Sequence, residues 1–226
     1  VKLAALYSGG KDSSFSIYLA ELMGHSVTDL LTVVPENSES LLFHTPNLAF
    51  VQDIAEAMGK KHYSAVAQEG KEMDALQYLM EEAVKRGIEG IVTGAVLSDF
   101  QFFRIEKLCF ELGIKCISPL WRVEQSLLMQ ELIASGIRAV VISVSAEGLS
   151  SEHLGREIDR QFLKELKALH EMYGINISGE GGEYESFVID SPMHRKILSI
   201  ADYEIIEKGK MKTMKIKRLE KRSKGF

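Results

Sequence analysis

The hexapeptide Ser8-Gly9-Gly10-Lys11-Asp12-Ser13 constrains this chain more than any other stretch. It stands directly between an apolar run, Leu3-Ala4-Ala5-Leu6-Tyr7, and a helix-like segment from Ser14 to Met23. The order is strand, glycine turn, helix. Two consecutive glycines permit a turn with no Cβ in the way and let backbone N–H groups approach a ligand, while the helix behind them directs its positive dipole end at the same point. Lys11 adds a mobile full charge, so the stretch suits phosphate. The ordinary G-x4-G-K-[ST] loop is excluded: it needs glycine at position 5 and Ser or Thr at 12, where the chain has Ala5 and Asp12. An acid directly after the lysine points to a metal ion held beside the phosphates. A bare strand-to-helix turn with an N-capping serine would need fewer of these residues.

The hexapeptide resembles the PP-loop of the ATP pyrophosphatases, enzymes that split ATP between its α and β phosphates and adenylate a substrate. Two later stretches narrow the resemblance. Gly94-Ala95-Val96-Leu97-Ser98-Asp99-Phe100-Gln101 with Arg104 and Glu106, and Glu180-Gly181-Gly182-Glu183-Tyr184-Glu185-Ser186, are similar to the signature blocks of the diphthine–ammonia ligases. Phe100 stands where many relatives would carry tyrosine. The resemblance implies an α/β fold of the adenine nucleotide alpha hydrolase type: a doubly wound, parallel five-stranded sheet of order 3-2-1-4-5, followed by a smaller C-terminal α+β domain. Residues 1–121 are then the PP-loop nucleotide-binding domain and 122–226 the substrate-binding domain.

The pattern along the chain fits such a sheet. Asp29 to Val34 reads as a buried second strand ended by Pro35 and Asn37, Leu48 to Met58 as a helix stopped by Gly59, and Tyr63 to Ala67 as a third strand. Met73, Leu76, Met80, Ala83 and Val84 make a helical apolar stripe over residues 72–86, which is core. Ile88 to Ala95 forms a fourth strand, and Ile114 onward a fifth, closed by Pro119. In the C-terminal part the pattern predicts a helix over Glu124–Ser135, a strand over Ala139–Ser145, a long helix over Ser151–Tyr173 with Leu154, Ile158, Phe162, Leu166 and Leu169 on one face, and a hairpin of Lys196–Ile206 and Met211–Leu219. Gly155-Arg156 resembles a family feature, though a glycine inside a helix also permits close packing.

Composition sets the outer limits. A chain of 226 residues with 46% hydrophobic content makes a sizeable core without disulfide or metal staples. Cys109 and Cys116 show no paired C-x2-C spacing and read as packed core residues. No apolar run approaches membrane-spanning length and the N-terminus opens on a core strand, so a cytoplasmic protein with no membrane partner is the expectation. The net charge of −5 is unevenly spread: Lys208–Phe226 holds nine Lys or Arg against one acid, leaving 18 basic and 31 acidic residues before it. An acidic body argues against nucleic-acid binding and suits a cationic substrate, although a solvated acidic surface accounts for it equally.

The resemblance also implies roles. Ser8, Gly9, Gly10, Lys11 and Ser13 would bind the leaving pyrophosphate of ATP, and Asp12 would help hold Mg²⁺. The backbone near Val33 would meet the adenine, and His44 would lie near the phosphates unless it merely caps the next helix. Gly94, Ser98 and Gln101 would face the nucleotide. Arg104 would offset charge at the α-phosphate, the plain alternative being a surface pair with Glu106 or Asp99. Glu180, Gly181, Gly182, Glu183, Tyr184 and Glu185 would receive diphthine, whose trimethylammonium group suits carboxylates and a ring face; the plain alternative is a charged hairpin. In an extended segment Glu183 and Glu185 share one face, and one of them would orient ammonium and accept its proton.

The implied reaction is the amidation of diphthine on translation elongation factor 2 through an acyl-adenylate, releasing AMP and pyrophosphate. With no glutaminase domain visible, free ammonium is the expected nitrogen source. Two other readings share the ATP-binding features. A thiolase-like tRNA-modifying enzyme would need reactive cysteines and a basic surface, and a non-catalytic ATP-binding regulator would not need the full hexapeptide.

Overall fold

The computed structural model describes residues 1–36 and 47–225. They pack as two units, Val1–Ser8 with Asp12–Trp121, and Gly9–Lys11 with Arg122–Phe226.

The first unit is built on five parallel strands: β1 (Lys2–Leu6), β2 (Ser26–Pro35), β3 (Lys61–Ala67), β4 (Gly90–Val92) and β5 (Lys115–Ile117). Their order is β3-β2-β1-β4-β5, the doubly wound arrangement expected from the sequence. Helices α1 (Lys11–Leu22), α2 (Val51–Met58), α3 (Glu72–Lys85) and α4 (Asp99–Glu111) make the crossovers. Strands of a parallel sheet are covered on both faces and read as continuous apolar runs. In β1, accordingly, Leu3, Ala4 and Ala5 are all buried although their side chains alternate. Leu76, Leu79, Met80 and Ala83 of α3 and Ile105, Leu108 and Cys109 of α4 close over Ala4, Leu31 and Ile91, which makes the stripe along residues 72–86 core as its spacing predicts. The fourth strand is shorter than its apolar run, three residues against eight.

The second unit holds an antiparallel sheet of order β7-β6-β9-β8, from β6 (Arg138–Val144), β7 (Tyr184–Asp190), β8 (Lys196–Lys208) and β9 (Met211–Ser223). Helices α5 (Gln125–Ala134) and α6 (Arg160–Tyr173) bury Leu128, Met129 and Leu132, and Phe162, Leu163 and Leu166. The Glu124 carboxylate caps α5 by accepting from the N–H groups of Ser126 and Leu127, both at 2.7 Å. The hairpin is longer than its pattern indicates, with β8 and β9 paired from Lys196↔Ser223 to Lys208↔Met211.

The long helix expected over Ser151–Tyr173 is not one helix. Ser151–His153 forms a short 3-10 turn, and α6 starts only at Arg160. Gly155 takes φ +80°, a left-handed conformation that stops any helix, and its N–H donates to Val141 O at 2.7 Å while Arg156 O accepts from Val141 N–H at 2.9 Å. Gly155-Arg156 thus lies alongside β6. The Asp159 carboxylate then caps α6, accepting from Phe162 N–H at 2.8 Å. Arg156 donates to Glu165 at 2.5 Å, and His153 bonds the other Glu165 oxygen at 2.8 Å; these two partners, His153 first, hold the Glu165 carboxyl below the usual carboxylate range.

Candidate functional site

The hexapeptide begins where β1 ends. Tyr7 N–H donates to Leu31 O at 2.9 Å, Thr32 Oγ1 donates to Tyr7 O at 2.7 Å, and the Tyr7 hydroxyl meets Ser14 Oγ at 2.9 Å. Burial pushes the Tyr7 phenol up, with the Ser14 hydrogen bond opposing the rise, so Tyr7 is a neutral anchor under the turn. Gly9 takes φ +82°, and α1 starts at Lys11 with Asp12 in its first turn. Ser8 Oγ and Ser13 Oγ lie 3.3 Å apart, and Ser16 Oγ donates to Asp12 O at 2.9 Å. A helix N-terminus with hydroxyls around its first turn is a place where phosphate oxygens are well received.

Gly94 closes on this turn from the end of β4. A Cβ there would stand 2.9 Å from Ser13 N and 3.0 Å from Ser13 Cα, backbone atoms that cannot move aside. The chain after β4 therefore runs against the start of α1, the close approach that a glycine permits. Ser98 is the N-cap of α4, its hydroxyl accepting from Gln101 N–H at 3.4 Å. Gln101 and Arg104 lie exposed on the first turns of that helix. Phe102 stacks on Trp121 at 4.1 Å between ring centroids, fixing the base of α4.

In the second unit, Gly9–Lys11 meet β7 and the segment before it. Val188 N–H donates to Gly9 O at 2.9 Å, Lys11 N–H donates to Ser186 Oγ at 3.0 Å, and Lys11 Nζ donates to Ser178 O at 2.5 Å. The Lys11 side chain is buried, with Nζ 5.5 Å from the centre of the Tyr184 ring. Tyr184 is itself a core residue: its hydroxyl donates to Ile177 O at 2.9 Å and its ring meets Phe162 edge to face at 5.8 Å. Glu183 is held differently. Its Oε1 accepts from Asn176 N–H at 3.0 Å, while Oε2 is buried with no hydrogen-bond partner among the described residues. A Cβ at Gly181 would stand 2.6 Å from Glu183 Oε1, so that glycine makes room for the carboxylate.

The structure distributes the sequence candidates as follows. Ser8, Asp12, Ser13 and Gly94 come together at the start of α1. Val33 lies in β2, paired with Ala65 and packed on the core. Ser98, Gln101 and Arg104 share the start of α4. Gly9, Gly10 and Lys11 pack with the unit that carries Glu180 to Glu185. His44 lies outside the described residues. Strand β7 begins only at Tyr184, so Glu183 stands in the preceding bend and the alternation expected to put it on one face with Glu185 does not reach it. Ser178 and Val188 had no sequence signal as partners of the hexapeptide. Ser186 stood at the end of the Glu180–Ser186 block, but nothing in the sequence paired it with Lys11.

Cys109 is buried on α4, and Cys116 on β5 is partly buried and packed against the same core cluster, in keeping with the reading of both as packed core residues. The two thiols share a hydrogen bond. It pushes the Cys109 thiol up, together with burial, and brings Cys116 down to about 7 against an opposing effect of burial.

Comparison with known proteins agrees with this architecture. Residues 1–116 match the model of the diphthamide synthase N-terminal domain, and residues 124–222 that of the diphthamide synthase C-terminal domain. The chain belongs to the diphthamide synthase family. Among its relatives, a Danio rerio protein named diphthine--ammonia ligase is 34% identical over 227 residues, an alignment covering 91% of this chain and 89% of that protein. A Bos taurus protein of the same name is 33% identical over 228 residues, covering 91% and 85%. Of solved structures, a Methanocaldococcus jannaschii protein described as a predicted subunit of tRNA methyltransferase aligns over 85% of this chain and 98% of its own at 17% identity, with a TM-score of 0.46. Among the described residues, no helix is long and apolar enough to cross a membrane.

Proposed function

We propose that this chain is an AMP-forming ligase that amidates the carboxylate of diphthine on translation elongation factor 2, with ATP and ammonium as co-substrates, in the cytoplasm where that factor works. The observation that carries this reading is the presence of both diphthamide synthase domains in one chain, at residues 1–116 and 124–222. Residues 1–121 serve the nucleotide and 122–226 the diphthine-bearing substrate.

The reaction runs in two displacements. A diphthine carboxylate oxygen attacks the α-phosphorus in line; the P–O bond to the β-phosphate breaks and pyrophosphate leaves. Ammonia then attacks the acyl carbon, the bond to the phosphate oxygen breaks, and AMP leaves. Ser8, Gly9, Gly10 and Ser13 receive the pyrophosphate oxygens through hydroxyls and backbone N–H groups at the helix start, and Lys11 neutralises their charge. Arg104 offers its fork to charge developing at the α-phosphate. The backbone by Val33 meets the adenine, and Ser98 and Gln101 complete the nucleotide contacts with Gly94.

The donor set fits a magnesium ion shared with the nucleotide. Mg²⁺ is commonly bound by one or two carboxylates plus phosphate oxygens. Asp12, in the first turn of α1, is that carboxylate. When bound, the ion screens charge on the phosphates.

Glu183 takes the proton from ammonium. Its carboxylate is anchored by Asn176 N–H at 3.0 Å on one oxygen and keeps a buried second oxygen with no partner among the described residues, the posture of a base. Glu180, Gly181, Gly182 and Glu185 line the approach of the cationic diphthine side chain, with Tyr184 as the packed base beneath them.

The test is to incubate the protein with ATP, Mg²⁺, ammonium and diphthine-bearing elongation factor 2, then follow AMP and the mass of the modified peptide. The expected result is AMP equal to amide formed, with a loss of roughly one mass unit on the peptide. ATP binding with neither AMP nor amide would overturn the substrate assignment.

A further inference from the structure

We infer that Ser186 is a positioning residue for the phosphate-binding loop, and that β7 sets the backbone of Gly9–Lys11. This rests on the ATP-dependent reading above and extends it to a residue that stands in the Glu180–Ser186 block without an assigned role.

Two hydrogen bonds to the backbone of the loop carry the inference. Lys11 N–H donates to Ser186 Oγ at 3.0 Å, and two residues further along the same strand Val188 N–H donates to Gly9 O at 2.9 Å. Strand β7 stands at the edge of its sheet, so the outward backbone N–H of Val188 and the Ser186 hydroxyl both reach the loop. Between the two attached residues lies only Gly10. Gly9 sits at φ +82°, and a diglycine turn has many alternatives of similar energy, because glycine pays little for any region of φ/ψ space. Two fixed points across three residues remove most of that freedom. A loop that binds phosphate through backbone N–H groups needs them aimed before the ligand arrives, since ordering them on binding weakens affinity. The Val188 bond is made by backbone and survives any side-chain change. The Ser186 bond depends on one hydroxyl.

The strand that carries that hydroxyl is itself held by the sheet. Ser186 pairs with Val141 of β6, while Val188 pairs with Ala139, and Phe187 between them is buried. Strand β7 therefore has little room to follow the loop, and the loop follows the strand.

The experiment compares the full-length protein with Ser186→Ala and Ser186→Thr, measuring binding of Mg²⁺–ATP by calorimetry without any protein substrate, then KM for ATP and kcat in the amidation assay. Loss of one hydrogen bond to the loop should weaken ATP binding about tenfold in Ser186→Ala. It should raise KM for ATP by a similar factor with kcat within about twofold, the signature of lost ground-state binding. Ser186→Thr, which keeps the hydroxyl, should return both to within about twofold of wild type. Unchanged ATP affinity in Ser186→Ala would overturn the inference, as would tighter binding, which would mean that Ser186 competes with phosphate for the Lys11 N–H. A threonine variant as weak as alanine would overturn it too. The binding arm separates the two readings: if wild type binds ATP and makes no amide, the substrate assignment falls while the Ser186 comparison still decides the inference.

Discussion

His194 should make this protein acid-sensitive in a way that one substitution removes. The residue closes the turn from β7 to β8, and it is only 4% exposed. Its Nδ1 lies 2.5 Å from Ser191 Oγ, and its Nε2 is buried with no partner among the described residues. A neutral ring tolerates this arrangement, with a single N–H shared between two nitrogens. Protonation puts an N–H on both nitrogens, and the second then carries part of a full charge where no acceptor meets it. Burial therefore brings His194 down from the ordinary 6.5 to about 4; the Asp190 carboxylate opposes the fall and the Lys224 ammonium adds to it.

The sign follows from linkage. A group whose folded pKa lies below its unfolded value contributes its full stability above the unfolded pKa and loses it as pH falls toward the folded one, here between about 6.5 and 4. At ~1.4 kcal/mol per pKa unit the whole loss is about 3 kcal/mol, a large part of a domain's stability. Urea unfolding followed by circular dichroism at pH 7.5, 6, 5 and 4 measures it, in wild type and in His194→Gln, whose amide still reaches Ser191 but does not titrate. The stability difference should be constant above pH 7 and move by about 3 kcal/mol in favour of the variant by pH 4. Proton resonances of the His194 ring, followed over the same range, should titrate near 4. Parallel stability curves, or a ring titrating near 6.5, would refute the reasoning.

Three other perturbations probe the sites directly. Gly94→Ala drives a methyl to 2.9 Å from Ser13 N, so it should cost about 1–3 kcal/mol in urea unfolding and weaken ATP binding measured by calorimetry, because the start of α1 must shift. Alkylation by iodoacetamide, mapped by peptide mass, should modify Cys116 in the native protein with a rate half-maximal near pH 7, rising with pH as the thiolate forms, while buried Cys109 stays unmodified until unfolding. Glu183→Gln should leave the protein as stable as wild type or more so, since the amide keeps the acceptor for Asn176 N–H and removes a buried charge, yet lower the amidation rate by about 10²-fold or more; an unchanged rate would remove Glu183 as the base.

Much of the first unit was legible because its determinants are local. The strand, glycine turn and helix at residues 3–23 are read from neighbouring residues, and the resemblance supplies the strand order that periodicity alone does not. The helix expected at Ser151–Tyr173 misled for a definite reason. Leu154 and Ile158 continue the four-residue spacing of Phe162, Leu166 and their followers, but they belong to a lead-in turned by Gly155 against β6. The stop signals were present in Gly155 and in Asp159, which caps α6 three residues before Phe162. The partners of Lys11 were hidden for a different reason. Ser178 and Ser186 lie 167 and 175 positions away in the chain, and no local pattern announces a contact at that separation.

Glu183 shows how a site can be told from a structural feature in such a fold. A carboxylate placed for stability would have both oxygens satisfied, as Glu165 does with His153 on one oxygen and Arg156 on the other. Glu183 is anchored on one side only. The chain even gives up a side chain at Gly181, where a Cβ would collide with the carboxylate at 2.6 Å, to keep the group turned inward. A buried carboxylate oxygen without a partner is a standing cost of about 1–3 kcal/mol, more if charged. Folding gains nothing from that arrangement. In the proposed amidation that oxygen would accept the proton while the other holds the orientation of the group. Glu165, satisfied on both oxygens, is a structural glutamate, whereas Glu183, anchored on one oxygen, is the one we propose as the base.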